Sequence, residues 1–126
     1  MSSRLKGLVV AHDSIGEGLV RAVEKISGVR GVLTAVSNEG CDREKLTELV
    51  SDAVEETPTV IFVDLFGGSC CHAAMRAEAD GENVAVVTGV NLAMLLHFVH
   101  HLDQSAGEAA LAAVEIGNRS IKTVTR

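Results

Sequence analysis

The sequence predicts an α/β protein in which helices cover both faces of one parallel sheet. Three observations predict it. Four short apolar runs alternate with segments of helical periodicity along the whole chain. The run at residues 60–63, VIFV, is unbroken and β-branched or aromatic, as in a strand buried on both faces. The strand-to-helix junctions carry Gly, Asn, Asp and Ser, the residues that turn a chain and cap a helix. At 126 residues the chain has the size of a single domain, residues 1–126, with a core large enough for three layers.

In order, residues 5–11 (LKGLVVA) form a first strand ending at His12. Ser14 and Glu17 stand three apart, the spacing of a capping box, and open a helix. Its apolar positions, Ile15, Leu19, Ala22, Val23 and Ile26, recur at helical spacing until Gly28 stops it. Residues 32–36 read as the second strand. Asp42 opens a helix with the stripe Leu46, Leu49, Val50, Ala53 and Val54, and Pro58 separates it from strand three. Asp64 ends strand three, Gly67 and Gly68 allow a tight turn, and Ser69 is the expected cap of helix three. Ala73, Ala74 and Ala77 give that helix a small face that can lie close to a sheet.

Residues 83–88 (NVAVVT) make strand four, and Asn91 caps a helix carrying Leu92, Leu95, Leu96, Val99 and Leu102. Ser105 and Glu108 form a second capping box before a fifth helix that runs to Gly117. The tail at residues 120–125 alternates, as a short final strand would. Only Asn118 and Arg119 separate it from helix five, so it suits an antiparallel edge strand, paired with its own sheet or with that of a second copy. The expected fold is a flavodoxin-like three-layer sandwich with strand order 2-1-3-4 and this candidate antiparallel C-terminal edge.

The totals narrow the function. Eleven basic against seventeen acidic side chains leave a net charge of −6 with no basic cluster, which argues against nucleic acid and anionic membranes as partners. No apolar run approaches a bilayer span, and the N-terminus lacks a signal peptide's apolar core, so the chain is not membrane-embedded and reads as cytoplasmic. Cys41, Cys70 and Cys71 have no disulfide-framework spacing and suit free thiols. There is no Walker lysine and no dinucleotide fingerprint. Neither cofactor nor metal is expected.

The 2-1-3-4 order puts its switch point between strands one and three, where His12 and Asp64 end their strands. A carboxylate that holds Nδ1–H of an imidazole leaves the Nε2 lone pair free as a nucleophile and stabilises the charge that develops on attack. Backbone N–H groups around Gly67, Gly68 and Ser69, with the helix dipole behind them, suit a transferred phosphoryl group. On spacing alone, a hydrogen-bonded histidine at a strand end accounts for His12 equally well.

Four motifs add to this reading: VVAH at 9–12, VDLFGGS at 63–69, TGVNLAML at 88–95 and AVEIG at 113–117. In order and spacing the chain resembles the enzyme IIA component of the mannose/fructose/sorbose family of the bacterial phosphoenolpyruvate-dependent sugar phosphotransferase system. The resemblance implies a phosphohistidine intermediate on His12, formed from the phosphocarrier HPr as donor and passed to an enzyme IIB component as acceptor. It implies that Asp64 supports the histidine, that Ser69 lies beside the phosphate, and that the protein is a homodimer able to exchange its C-terminal strand.

Three positions depart from the family pattern. Asp13 stands where Gly usually follows the histidine, Cys70 where Pro is common, and His72 where Asn is common. The chain ends where multidomain relatives continue into IIB, which implies a free-standing component. Two other functions fit parts of the sequence: the phosphotransferase subunit of dihydroxyacetone kinase, for the HDSIGEG region, and a regulatory module read out through its phosphorylation. His97, His100 and His101, at i, i+3 and i+4, have metal-sharing spacing, but no acidic or cysteine partner stands beside them, which favours a solvated, titrating face. Cys70 and Cys71, at a helix start, are candidates for lowered thiol pKa values, against the alternative of inert, partly buried thiols.

Overall fold

Alternating apolar runs and amphipathic segments assemble as the sequence predicts. The computed structural model describes residues 4–125. Its elements are β1 (Lys6–Ala11), α1 (Ile15–Ser27), β2 (Leu33–Ser37), α2 (Arg43–Val54), β3 (Thr59–Val63), α3 (Gly68–Asp80), β4 (Val84–Thr88), α4 (Leu92–Phe98) and α5 (Ala106–Arg119). The four strands form one sheet in the order β2-β1-β3-β4. All its pairings are parallel.

Side chains alternate across the pleat, so the unbroken apolar strands fill two separate cores. Val9, Ala11, Val60, Phe62 and Val87 face α1, α4 and α5. Leu8, Val10, Ile61 and Val63 face α2 and α3, where Leu46, Val50, Ala73, Ala74 and Ala77 meet them. The small face expected of α3 is what lets it lie against this layer. On the opposite side, Phe62 meets Phe98 edge-on, with ring centroids 5.1 Å apart.

Helix ends test the local readings one at a time. Asp42, Asn91 and Ser105 each accept a backbone N–H in the first turn, and Ser105 with Glu108 completes the capping box. The box expected at Ser14 and Glu17 is not made: the Ser14 hydroxyl donates instead to the Asp13 carboxylate, 3.3 Å away. Asp13 sits in the left-handed region at φ 54°, which leaves Ser14 at φ −99°, ψ 8° rather than in the extended geometry of a cap. Ile15 and Ile26, at the two ends of the predicted stripe of α1, stand exposed, while Val23 at its centre is buried. Helix α4 ends at Phe98, four residues before Leu102. The chain turns there so that Leu102 is buried and its carbonyl accepts Leu5 N–H.

The tail is the main departure. Residues 121–125 form no strand, and Ile121 and Val124 are exposed, so the tail does not pair with the edge of its own sheet. Short strands draw their stability from packing, and these residues have no face to pack on within one chain.

Candidate functional site

Strands β1 and β3 are neighbours with Val10 opposite Val63, so the two chains leave the sheet side by side. Where the ladder stops, the Asp64 side chain continues it. Its Oδ2 accepts His12 N–H at 2.9 Å and lies 2.8 Å from His12 Nδ1, while Oδ1 accepts Leu65 N–H at 3.1 Å. A carboxylate only accepts, so the ring proton belongs on Nδ1 and the lone pair on Nε2. The Asp64 side chain is only 9% exposed, whereas that of His12 is 40% exposed. A nearly buried anchor thus fixes a ring that solvent or a partner can reach.

The second half of the site is the turn into α3. Gly67 and Gly68 take φ values of 97° and 79°, where a side chain would be strained. They aim the start of α3, whose N-terminus has no side-chain cap. Its first N–H groups therefore lack both an intrahelical and a capping partner. Ser69 is not the cap that its sequence position suggests; it lies inside the first turn, and Gly67 holds the cap position. Ser69 is half-buried.

Cys70 is the residue that sequence reasoning did not bring here. It is fully buried, and its Sγ lies 3.8 Å from His12 Nδ1. Burial, and then the nearby Asp64 charge, push its thiol up to about 11, so it is not the activated cysteine that a helix start suggests. The available signal was its spacing: six residues after Asp64, in the first turn of a helix that starts beside the histidine. His72, two residues further along, is half-buried.

The rim is apolar on one side and polar on the other. Leu65 and Phe66, directly after Asp64, are 51% and 80% exposed, and Ile15 is 49% exposed. Asp13 is fastened to β2: its N–H donates to Asn38 Oδ1 at 3.1 Å, and its carbonyl accepts the Ser37 hydroxyl at 2.8 Å. Its left-handed backbone gives the physical reason why glycine suits this position.

The other histidines form a separate group. His97 and His101 stack with ring centroids 3.9 Å apart, and His101 Nδ1 donates to the His97 carbonyl at 2.7 Å. Burial, then the neighbouring His101 and His100, hold the His97 imidazole below its ordinary value of 6.5.

Fold and site together define an open α/β protein that presents a carboxylate-held histidine at the switch point of a 2-1-3-4 sheet. The chain belongs to the family described as PTS system fructose IIA component (EIIA-man), whose profile it matches over residues 7–115. This family takes part in phosphoryl transfer within the sugar phosphotransferase system. A comparison with curated proteins gives no match.

Solved structures share the fold. A mannose/sorbose-specific IIA subunit of the phosphotransferase system from Enterococcus faecalis superposes with a TM-score of 0.80 at 24% identity, covering 100% of this chain and 97% of that one. A phosphotransferase system component EIIA from Streptococcus agalactiae gives 0.84 at 18% identity, with 94% and 96% covered. A IIA protein associated with the fucose utilization operon of Streptococcus pneumoniae gives 0.82 at 19% identity, with 98% and 96% covered. Among the described residues, no helix is long and apolar enough to cross a membrane.

Proposed function

We propose that His12 is the phosphoryl-accepting residue of a cytoplasmic phosphocarrier that takes its phosphoryl group from phospho-HPr and passes it to an enzyme IIB component. The observation that carries this reading is the double hold of Asp64 on His12, through backbone N–H and Nδ1, at the mouth of an uncapped helix. Nε2 attacks phosphorus, an N–P bond forms, and the bond to the donor's leaving group breaks. The Nδ1 proton stays where it is. As the ring gains positive charge, the Asp64 carboxylate stabilises it. The phosphoryl oxygens meet the N–H groups of the turn at Gly67, Gly68 and Ser69 and the positive end of α3. Transfer of this kind asks mainly for positioning and charge stabilisation, which these groups supply without a cofactor.

Incubation with phosphoenolpyruvate, enzyme I and HPr should label the protein in an acid-labile, alkali-stable form, and His12→Ala should abolish the label. Label that persists in His12→Ala would remove His12 from this role.

The same reading includes a homodimer. Its support is the open edge at β4, where Val84, Ala85 and Val86 are only half-buried, together with the exposed Leu111, Val114, Ile121 and Val124. A second copy laying its tail along that edge would cover both. Removal of residues 119–126 should shift a dimer towards monomer or aggregate in sedimentation. An unchanged soluble dimer would locate the interface elsewhere.

A further inference from the structure

We propose that His12, Asp64 and Cys70 form a binding site for a thiophilic divalent cation such as Zn²⁺, and that the ion competes with phosphorylation of His12. The competition rests on the phosphocarrier reading above; the binding does not. The three side chains come from the ends of β1 and β3 and the first turn of α3, and their donor atoms all lie within 4.8 Å of one another. Two of these separations are known individually: 2.8 Å from Nδ1 to Asp64 Oδ2 and 3.8 Å from Nδ1 to Cys70 Sγ.

Zn²⁺ takes imidazole nitrogen and carboxylate oxygen at about 2.0–2.2 Å and thiolate at about 2.3 Å, so tetrahedral donors stand roughly 3.3–3.6 Å apart. These two spacings bracket that range and the third lies within 4.8 Å, so shifts of about 1 Å or less bring the three atoms onto one ion. Imidazole, carboxylate and thiolate are also the donor classes that this ion takes. Two of the donors are held by the core: Cys70 has no exposed surface and Asp64 almost none, so they are not a chance gathering of surface acids. The exposed side of His12 leaves the fourth position to water.

Binding releases the Cys70 thiol proton to solvent and moves the ring proton of His12 from Nδ1 to Nε2, so that the histidine binds as a neutral imidazole. Thiolate and carboxylate then balance the charge of the ion. The consequence for the histidine follows from its ring. With a dication on Nδ1 and the proton on Nε2, no ring lone pair is left to attack phosphorus, and the carboxylate that would stabilise a charged ring is occupied by the metal. By linkage, phosphorylation and metal each weaken the other.

The test uses the reduced full chain and Co²⁺ as a spectroscopic stand-in. Titration should give a near-ultraviolet thiolate-to-cobalt charge-transfer band that saturates at one ion per chain and is bleached by Zn²⁺. Cys70→Ala should abolish the band, whereas Cys41→Ala and Cys71→Ala should keep it. His12→Gln, at a side chain outside the core, should weaken Co²⁺ binding by at least about tenfold, and it carries the test if Cys70→Ala does not fold. No band in wild type, or a band untouched by both Cys70→Ala and His12→Gln, overturns the site. In a second arm, phospho-HPr freed of enzyme I labels the protein with and without Zn²⁺. Labelling should fall at least about tenfold in wild type and be insensitive to Zn²⁺ in Cys70→Ala. Binding that leaves wild-type labelling unchanged overturns the competition. Absence of label in the metal-free protein would instead count against the phosphocarrier reading, with the cobalt band still standing.

Discussion

Two groups of histidines in this molecule share a residue type and differ in almost everything that decides its chemistry. His12 ends a central strand and is gripped twice by one nearly buried carboxylate. His97, His100 and His101 sit at the end of α4, where His97 and His101 stack and His101 Nδ1 donates to a backbone carbonyl. The first setting fixes a tautomer and sets a carboxylate against the ring. The second disfavours charge, because burial and neighbouring imidazoles both oppose protonation of His97. Their surroundings differ as well. Leu65, Phe66 and Ile15 are exposed around His12, whereas no large apolar side chain of α4 is exposed among the described residues. The lesson is that a histidine is made useful by what holds it and what can dock beside it, and only one of these two places has both.

The sharpest way to break that contrast is to remove the hold. Asp64→Asn keeps the shape, but its amide can donate to Nδ1 and so fix the other tautomer, and it cannot stabilise a charged ring. Phosphoryl transfer should slow on the order of 10²-fold, the scale of a lost proton-managing group, with the circular dichroism spectrum unchanged. A transfer rate equal to wild type would mean that the carboxylate is not what separates the two histidine groups.

A smaller effect is expected from the rim. Phe66 is 80% exposed directly beside the site, a costly place for an aromatic ring unless a partner covers it. Phe66→Ala should lower kcat/KM with phospho-HPr about tenfold, which corresponds to about 1.4 kcal/mol of contact. Labelling by a small donor such as phosphoramidate should be unaffected. Equal losses with both donors would assign Phe66 to the chemistry or the fold rather than to docking.

How much of this could be read from the sequence depended on how local the cause was. The caps at Asp42, Asn91 and Ser105 follow from residues a few positions apart, and the alternation of strands and helices gives the sheet order, which in turn brings the strand ends at His12 and Asp64 together. Ser14 and Ser69 have a cap's composition and sequence position, but the left-handed backbone at Asp13, or at Gly67 and Gly68, sets the helix start differently, and neither caps. Proximity of Cys70 to His12 was hidden because it is tertiary, created by two strands and a helix that meet at one point. The tail had the pattern of a strand, but an edge needs a partner, and within one chain it finds none.

The least of the expected effects concerns the second histidine group. Its imidazole held below 6.5, His97 binds fewer protons in the folded state than in the unfolded state just below that value. Stability should therefore be full above 6.5, fall as the pH drops through that value, and level off once the folded protein too is protonated. Glu108 acts in a separate window: the Ser105 backbone N–H and hydroxyl hold its carboxyl below 4.5, so its contribution is lost only at lower pH. Denaturant midpoints measured between about pH 8 and pH 5 isolate the histidine contribution. Wild type should lose a little stability across this range, less than either substitution above costs in activity, and His97→Gln should flatten the dependence. A midpoint that rises as the pH falls would mean that charge is favoured on α4, and a slope that His97→Gln leaves untouched would mean that His97 is not the group responsible.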